Sequence, residues 1–118
     1  MKKKKILIAE DEFTARTLLG FQLSRLGVVF DAVTSGQEAW EFFLKEEYSL
    51  VLLDEYMPGL NGSDVLLKIR AQNPSLPVLA MTGDPEAVPR LLKAGFQEVF
   101  VKPLHGKEHL DIIQRYLA

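Results

Sequence analysis

The chain has 118 residues, 47% of them apolar and 25% charged, the mixture of an ordinary globular domain. It has no cysteine, which excludes a thiol nucleophile, a Cys-ligated zinc and a redox motif, and which accords with a cytoplasmic, reducing setting. Fourteen basic against sixteen acidic residues leave a net charge of −2, so no global field recruits nucleic acid directly, and the longest apolar runs are four residues, excluding membrane insertion.

Lys2 to Lys5 open the chain. The apolar stretch behind them stops at Glu10, Asp11 and Glu12, which a secretory signal would not tolerate. The lysines are therefore read as a solvated lead-in to a buried strand, not as a signal peptide or a nucleic-acid arm. Ile6–Ala9 is the first expected strand, followed by a helix with Ala15, Leu19, Gln22 and Leu26 on one stripe. Val28–Val33 is the second strand. Ser35 with Glu38 then reads as a capping pair for a helix whose stripe is Gly36, Ala39, Trp40, Phe43 and Leu44. Leu50–Leu53 is the third strand; Val65, Leu66 and Ile69 mark the helix after it, which Asn73-Pro74 closes.

Val78–Met81 is the fourth strand. Asp84-Pro85-Glu86 looks like a helix start, but Pro89 removes an amide one turn later, so a short or kinked helix running mainly over Pro89–Ala94 is expected. Val99–Val101 is the fifth strand, and Leu110, Ile113 and Leu117 mark a last helix expected to start near Gly106. The strands are mostly continuous apolar runs, the habit of strands covered on both faces in a parallel sheet. Strict strand-helix alternation then predicts a three-layer α/β sandwich in one domain spanning residues 1–118, with no room for a second.

In a parallel sheet all carboxyl ends lie on one edge, and ligands bind in the crevice outside it. The residues at those ends are Glu10 and Asp11 after the first strand, Asp54 after the third, Thr82 after the fourth and Lys102 after the fifth. Three acids and one ammonium leave two negative charges, which repel a phosphate unless a hard divalent cation cancels them. Mg²⁺ suits such an oxygen-rich site, with Mn²⁺ as an alternative ion. With a cation in place a phosphoryl group can approach an aspartate, which can itself be the nucleophile and form an aspartyl phosphate.

The stretches Ile6-Leu-Ile-Ala-Glu-Asp-Glu12, Val51-Leu-Leu-Asp-Glu-Tyr-Met-Pro-Gly-Leu-Asn-Gly62, Met81-Thr-Gly83 and Phe100-Val-Lys-Pro103 resemble the receiver domain of two-component response regulators, over the whole chain. The resemblance implies a flavodoxin-like doubly wound sheet of five strands in the order 2-1-3-4-5. It implies Asp54 as phosphoacceptor, with Glu10, Asp11, Asp54 and the backbone carbonyl of Tyr56 around Mg²⁺. Thr82 would hydrogen-bond the phosphoryl group and Lys102 would pair with it, next to a Lys102-Pro103 bond that is often cis in the family. The implied function is a phosphorelay switch: a histidine kinase or histidine phosphotransfer protein supplies the phosphoryl group, and an output partner is met on the helix 4–strand 5–helix 5 face. Such a domain promotes its own phosphorylation and dephosphorylation without being a turnover enzyme.

Two positions depart from the family pattern. Glu10 stands where Asp is usual, and Val99 stands where a Tyr or Phe usually turns inward on phosphorylation. Phe100 falls on the opposite strand face and cannot substitute. Any conformational signal is therefore expected in the Thr82–Ala94 segment. The rival from the binding class is a receiver-like docking module that no longer phosphorylates. The rival from the enzyme class is a magnesium phosphatase with an Asp nucleophile, which is disfavoured because Tyr56 occupies the place of its second acid. A flavin carrier is disfavoured by Glu10-Asp11-Glu12 in the phosphate loop, and a P-loop nucleotide enzyme by the missing signature.

The remaining features read as ordinary structure. His105 and His109 have helical spacing but no third ligand, and are expected to be exposed rather than to hold a metal. Trp40, Phe42 and Phe43 read as core packing plus one exposed ring. Phe96, Val99 and Leu104 read as scattered surface apolars.

Overall fold

A computed structural model describes residues 4–118; Lys2 and Lys3 of the lysine lead-in lie outside the described residues. The strands are β1 (Lys5–Ala9), β2 (Val29–Val33), β3 (Leu50–Asp54), β4 (Val78–Thr82) and β5 (Glu98–Val101). They pair in parallel in the order β2-β1-β3-β4-β5, the flavodoxin-like arrangement, with Leu7 opposite both Asp31 and Val51. The helices are α1 (Phe13–Arg25), α2 (Gly36–Lys45), α3 (Gly62–Gln72), α4 (Val88–Ala94) and α5 (Glu108–Leu117).

Side chains alternate along a strand, so a strand buried on both sides feeds two cores. Ile6, Ile8, Leu50, Leu52, Leu79, Met81 and Phe100 pack with Leu19 and Leu23 of α1 and Ile113 of α5. Leu7, Ala9, Val51, Leu53, Val78 and Ala80 pack with Val65, Leu66 and Ile69 of α3 and Leu91 of α4 on the other side. Ala39 of α2 joins this second core, so two helices cover one sheet face and three the other. Val99 packs partly buried against the α3–α4 side while Phe100 is buried on the α1–α5 side, as strand alternation requires.

Local chemistry explains the element ends. The Ser35 hydroxyl accepts from the Glu38 amide at 3.1 Å, but the Glu38 carboxylate reaches past Ser35 to the amide and hydroxyl of Thr34. Asn61 and Asp64 form a reciprocal capping box at the start of α3, and Asn73 ends that helix. A 3₁₀ turn over Pro85–Ala87, capped by Asp84, precedes α4, so the fourth helix is short and late-starting as its two prolines dictate.

Several sequence expectations are corrected. On α1 the second core position is Leu23, not Leu26, because the helix ends at Arg25 and the chain turns through Gly27 at φ +73°. Leu44 lies on the exposed side of α2. The last helix starts at Glu108, since Gly106 sits at φ +77°, outside helical space. Phe96 is buried, because the left-handed Gly95 at φ +119° turns it under α4, where its amide bonds the Leu91 carbonyl. His109 is buried too: its ring packs on the edge of Phe100 and its Nε2 lies 2.9 Å from the Gln22 Oε1. His105 is exposed, and the Trp40 and Phe43 rings stack against the α3-side core as expected.

Candidate functional site

Glu10, Asp54 and Lys102 each follow, at even spacing, residues that face the α1–α5 side, so alternation aims all three over the same sheet edge. There they line a cavity of about 530 Å³ together with Asp11, Tyr56 and Gly83. Its far wall is apolar, formed by Ala15, Leu18 and Leu19 of α1 with Met81, Pro103 and Leu104. The Lys102-Pro103 peptide is cis.

Lys102 is the electrostatic centre. Its Nζ donates to Glu10 Oε1 at 2.8 Å and to Asp54 Oδ2 at 3.0 Å, tying the ends of β1, β3 and β5 together. Glu10 uses its second oxygen as well, since Oε2 accepts from the Glu12 amide at 3.1 Å. Glu10 and Asp54 are almost completely buried, whereas Asp11 is exposed at the rim. Burial and the neighbouring Glu10 push the Asp54 carboxyl up to about 7, against the pull of Lys102. Burial also opposes the charge on Glu10, but the bonds from Lys102, Asp54 and the Glu12 amide outweigh it and hold that carboxyl below its usual value. Lys102 is raised: desolvation would lower it, but its two carboxylate partners prevail. Lys102 thus bridges both carboxyls, and Asp54 is the one of the two that burial and its acidic neighbour make harder to ionise.

Glu10, Asp11 and Asp54 each place a carboxylate oxygen so that all three lie within 4.8 Å of one another, the sole such acidic or histidine cluster among the described residues. Hard oxygen donors in that number suit Mg²⁺ or Mn²⁺, so the residues present fit the ion that the sequence implies. Thr82 stands apart from this group. It is fully buried, does not line the cavity, and its Oγ1 accepts from the Asp84 amide at 3.0 Å. That bond uses an acceptor lone pair and leaves the hydroxyl hydrogen free to be donated.

Two residues not singled out in the sequence, Glu55 and Arg16, and one that ends its acceptor motif, Gly62, support the site. Glu55, next to Asp54, is buried, yet its carboxylate is fully engaged: it accepts from the Ser63 amide and hydroxyl and pairs with Arg90 of α4 at 3.1 Å. Arg16 of α1 donates to the carbonyls of the acidic pair. Gly62 is required by space: a β-carbon there would come 2.7 Å from the Asp54 carbonyl oxygen and 3.1 Å from Glu55 Cα. An acid beside the acceptor was the one available signal for Glu55. The side chain-to-backbone reach of Arg16 leaves no signature in hydrophobic periodicity.

A family model described as the response regulator receiver domain matches residues 6–114. The chain is 35% identical over 114 residues to the response regulator protein FleR of Pseudomonas aeruginosa, covering 95% of this chain and 24% of that protein. It is 36% identical over 118 residues to the sensor protein EvgS of Escherichia coli K12, covering 98% of this chain and 10% of that protein. The chain thus spans a quarter or less of these two relatives. Among solved structures, the response regulator TrrA of Thermotoga maritima, in complex with Mg²⁺ and BeF, superposes with a TM-score of 0.87 at 30% identity, covering 98% of this chain and 99% of that one.

Proposed function

The chain belongs to the response regulator receiver family, and from that premise we propose that Asp54 is the phosphoacceptor of a two-component signalling switch. Receiver domains are signalling domains, not classical enzymes. The observation that carries the reading is the single ammonium of Lys102 bonded to both Glu10 and Asp54, at the mouth where three acids converge. Glu10, Asp11, Asp54 and the Tyr56 carbonyl would hold Mg²⁺ or Mn²⁺, which when bound neutralises charge on the phosphoryl oxygens.

The chemistry asked of the chain itself is small. Asp54 must lose the proton that burial and Glu10 favour, which any added positive charge in the cavity promotes. Its carboxylate oxygen then bonds the phosphorus as the P–N bond to a donor phosphohistidine breaks, and the bonding pair leaves with the imidazole nitrogen. Lys102 exchanges one of its two carboxylate bonds for a phosphoryl oxygen, and Thr82, which here faces the Asp84 amide, turns toward the cavity to donate its hydroxyl hydrogen to another. The apolar cavity wall of Leu18, Leu19 and Met81 keeps bulk water from one side of the acyl phosphate.

The donor is a histidine kinase or a histidine phosphotransfer protein. The output is a change of affinity for a partner on the α4–β5–α5 face. Val99 has no ring to turn, so the signal runs through the Thr82–Ala94 segment, whose start hangs on the Thr82–Asp84 bond and whose helix is tied to Glu55 by Arg90. Val99 is also the one feature that favours the second reading, a docking module that no longer phosphorylates.

Incubation with acetyl phosphate and Mg²⁺ should add one phosphoryl group, seen by intact mass. Asp54→Asn or chelation of the metal should abolish it. Undiminished labelling of the Asn variant moves the nucleophile elsewhere, and no labelling of the wild type, with no binding of beryllofluoride, favours the docking module.

A further inference from the structure

The acids of the cluster are not held alike. Glu10 has both oxygens bonded, to Lys102 and to the Glu12 amide, and Asp54 is anchored by Lys102. The Asp11 carboxylate is exposed and makes no hydrogen bond among the described residues, yet it lies with its oxygen within 4.8 Å of the other two. Something other than its own side-chain contacts must aim it.

The aim of a side chain is set first by the backbone that carries it. Asp11 sits in the two-residue link between β1 and the N-cap of α1, Glu12. The Glu12 carbonyl is taken by the first helical bond, from the Arg16 amide at 3.0 Å. The carbonyls of Asp11 and Glu10 lie one and two residues further out, where the helix supplies no donor. The guanidinium of Arg16 turns back from the first turn of α1 to fill that gap: Nη1 donates to the Glu10 carbonyl at 2.9 Å and the Asp11 carbonyl at 3.4 Å. The Phe13 ring lies 5.7 Å from the guanidinium carbon and backs it on one side. One nitrogen therefore fixes the two peptide planes that flank the Asp11 Cα.

We propose that Arg16 is a positioning residue for the cation site, holding the Glu10–Asp11–Glu12 backbone so that the otherwise untethered Asp11 carboxylate faces Glu10 and Asp54. The proposal rests on the cation-binding reading given above.

Electrostatics alone predicts the opposite outcome to positioning. Arg16 is a positive charge beside an acidic cluster, so its removal should tighten cation binding if charge is all it contributes. If it positions Asp11, its removal should weaken binding, by about tenfold on the pattern of outer-shell groups that orient metal ligands. Mg²⁺ alone is titrated into the full chain at fixed ionic strength and followed by amide shifts or calorimetry, with no phosphodonor present. Arg16→Met, which keeps an unbranched apolar stem and helix propensity but no donor, should raise the Mg²⁺ Kd about tenfold, Arg16→Lys by less, and Arg25→Met on the exposed end of α1 not at all.

An unchanged or lower Kd in Arg16→Met overturns the proposal, as does an equal loss in Arg25→Met. Should the methionine variant not fold, Arg16→Gln carries the same expectations, because its shorter amide falls short of both carbonyls. If the wild type itself takes up no Mg²⁺ at millimolar concentrations, the cation-binding reading falls, and Arg16 with it. Wild-type uptake matched by Arg16→Met removes only the role of Arg16.

Discussion

Replacing the proposed acceptor should make the metal-free protein more stable. Asp54 is buried beside Glu10, and burial with that neighbour lifts its carboxyl from an ordinary value of 3.8 to about 7. A folded-state value above the unfolded one means that folding disfavours the charged form. The cost is therefore small below pH 4, grows between pH 4 and 7, and is complete above pH 7. Three pH units correspond to a ceiling of about 4 kcal/mol, and relaxation of the site reduces the expected gain on removing the charge to about 2 kcal/mol. Urea unfolding of Asp54→Asn and wild type in chelator, followed by circular dichroism, measures it. At pH 8 the midpoint should rise by about 1 M, since a chain of this size has a slope of about 1–2 kcal/mol per M. The difference should shrink by about half at pH 5. Added Mg²⁺ should stabilise the wild type by about 1.4 kcal/mol at ten times its Kd, and the Asn variant by less. An Asn variant that is less stable at pH 8 without metal, or equally favoured at pH 8 and pH 5, would refute the electrostatic account of the site.

Two further outcomes follow from buried groups elsewhere. Arg90→Met strips the buried Glu55 carboxylate of its cation and should lower the urea midpoint, by less than for a fully buried pair because Arg90 is half exposed, whereas the double variant Glu55→Gln, Arg90→Met should recover most of that loss. Burial lowers the pKa of His109, so folding favours its neutral ring; its contribution is present above about pH 6.5 and is lost as pH falls through the folded-state value. His109→Gln should therefore flatten the stability profile between about pH 7 and 5, as seen by thermal unfolding, and an unaltered slope would show that the ring does not titrate there.

The sheet was legible because most of its strands are continuous apolar runs, the habit of double-sided burial, and the convergence of Glu10, Asp11, Asp54 and Lys102 follows from parallel topology. What escaped depends on contacts distant in sequence or on one backbone angle. The exposure of His109 and Phe96 was misjudged because a partner on α1 and a left-handed glycine decide it. The start of α5 shifted for the same kind of reason at Gly106. Thr82 sits at the expected strand end, yet parity sends it to the sheet face opposite Met81, so its hydroxyl meets the Asp84 amide and not the cavity. The Glu55–Arg90 pair joins residues 35 apart, beyond any local pattern.

The two-sided core has an evolutionary corollary. Because neighbouring side chains point to opposite layers, the number of residues between each strand's core and its reactive tip can change only in steps of two without turning an acid or the lysine inside out. A single-residue insertion in β1, β3 or β5 would dismantle the chemistry while leaving a plausible sheet. The connections at the amino-terminal edge of the sheet carry no such parity constraint, and that rim is where descendants of this chain can lengthen, shorten or graft new segments without losing the acidic centre.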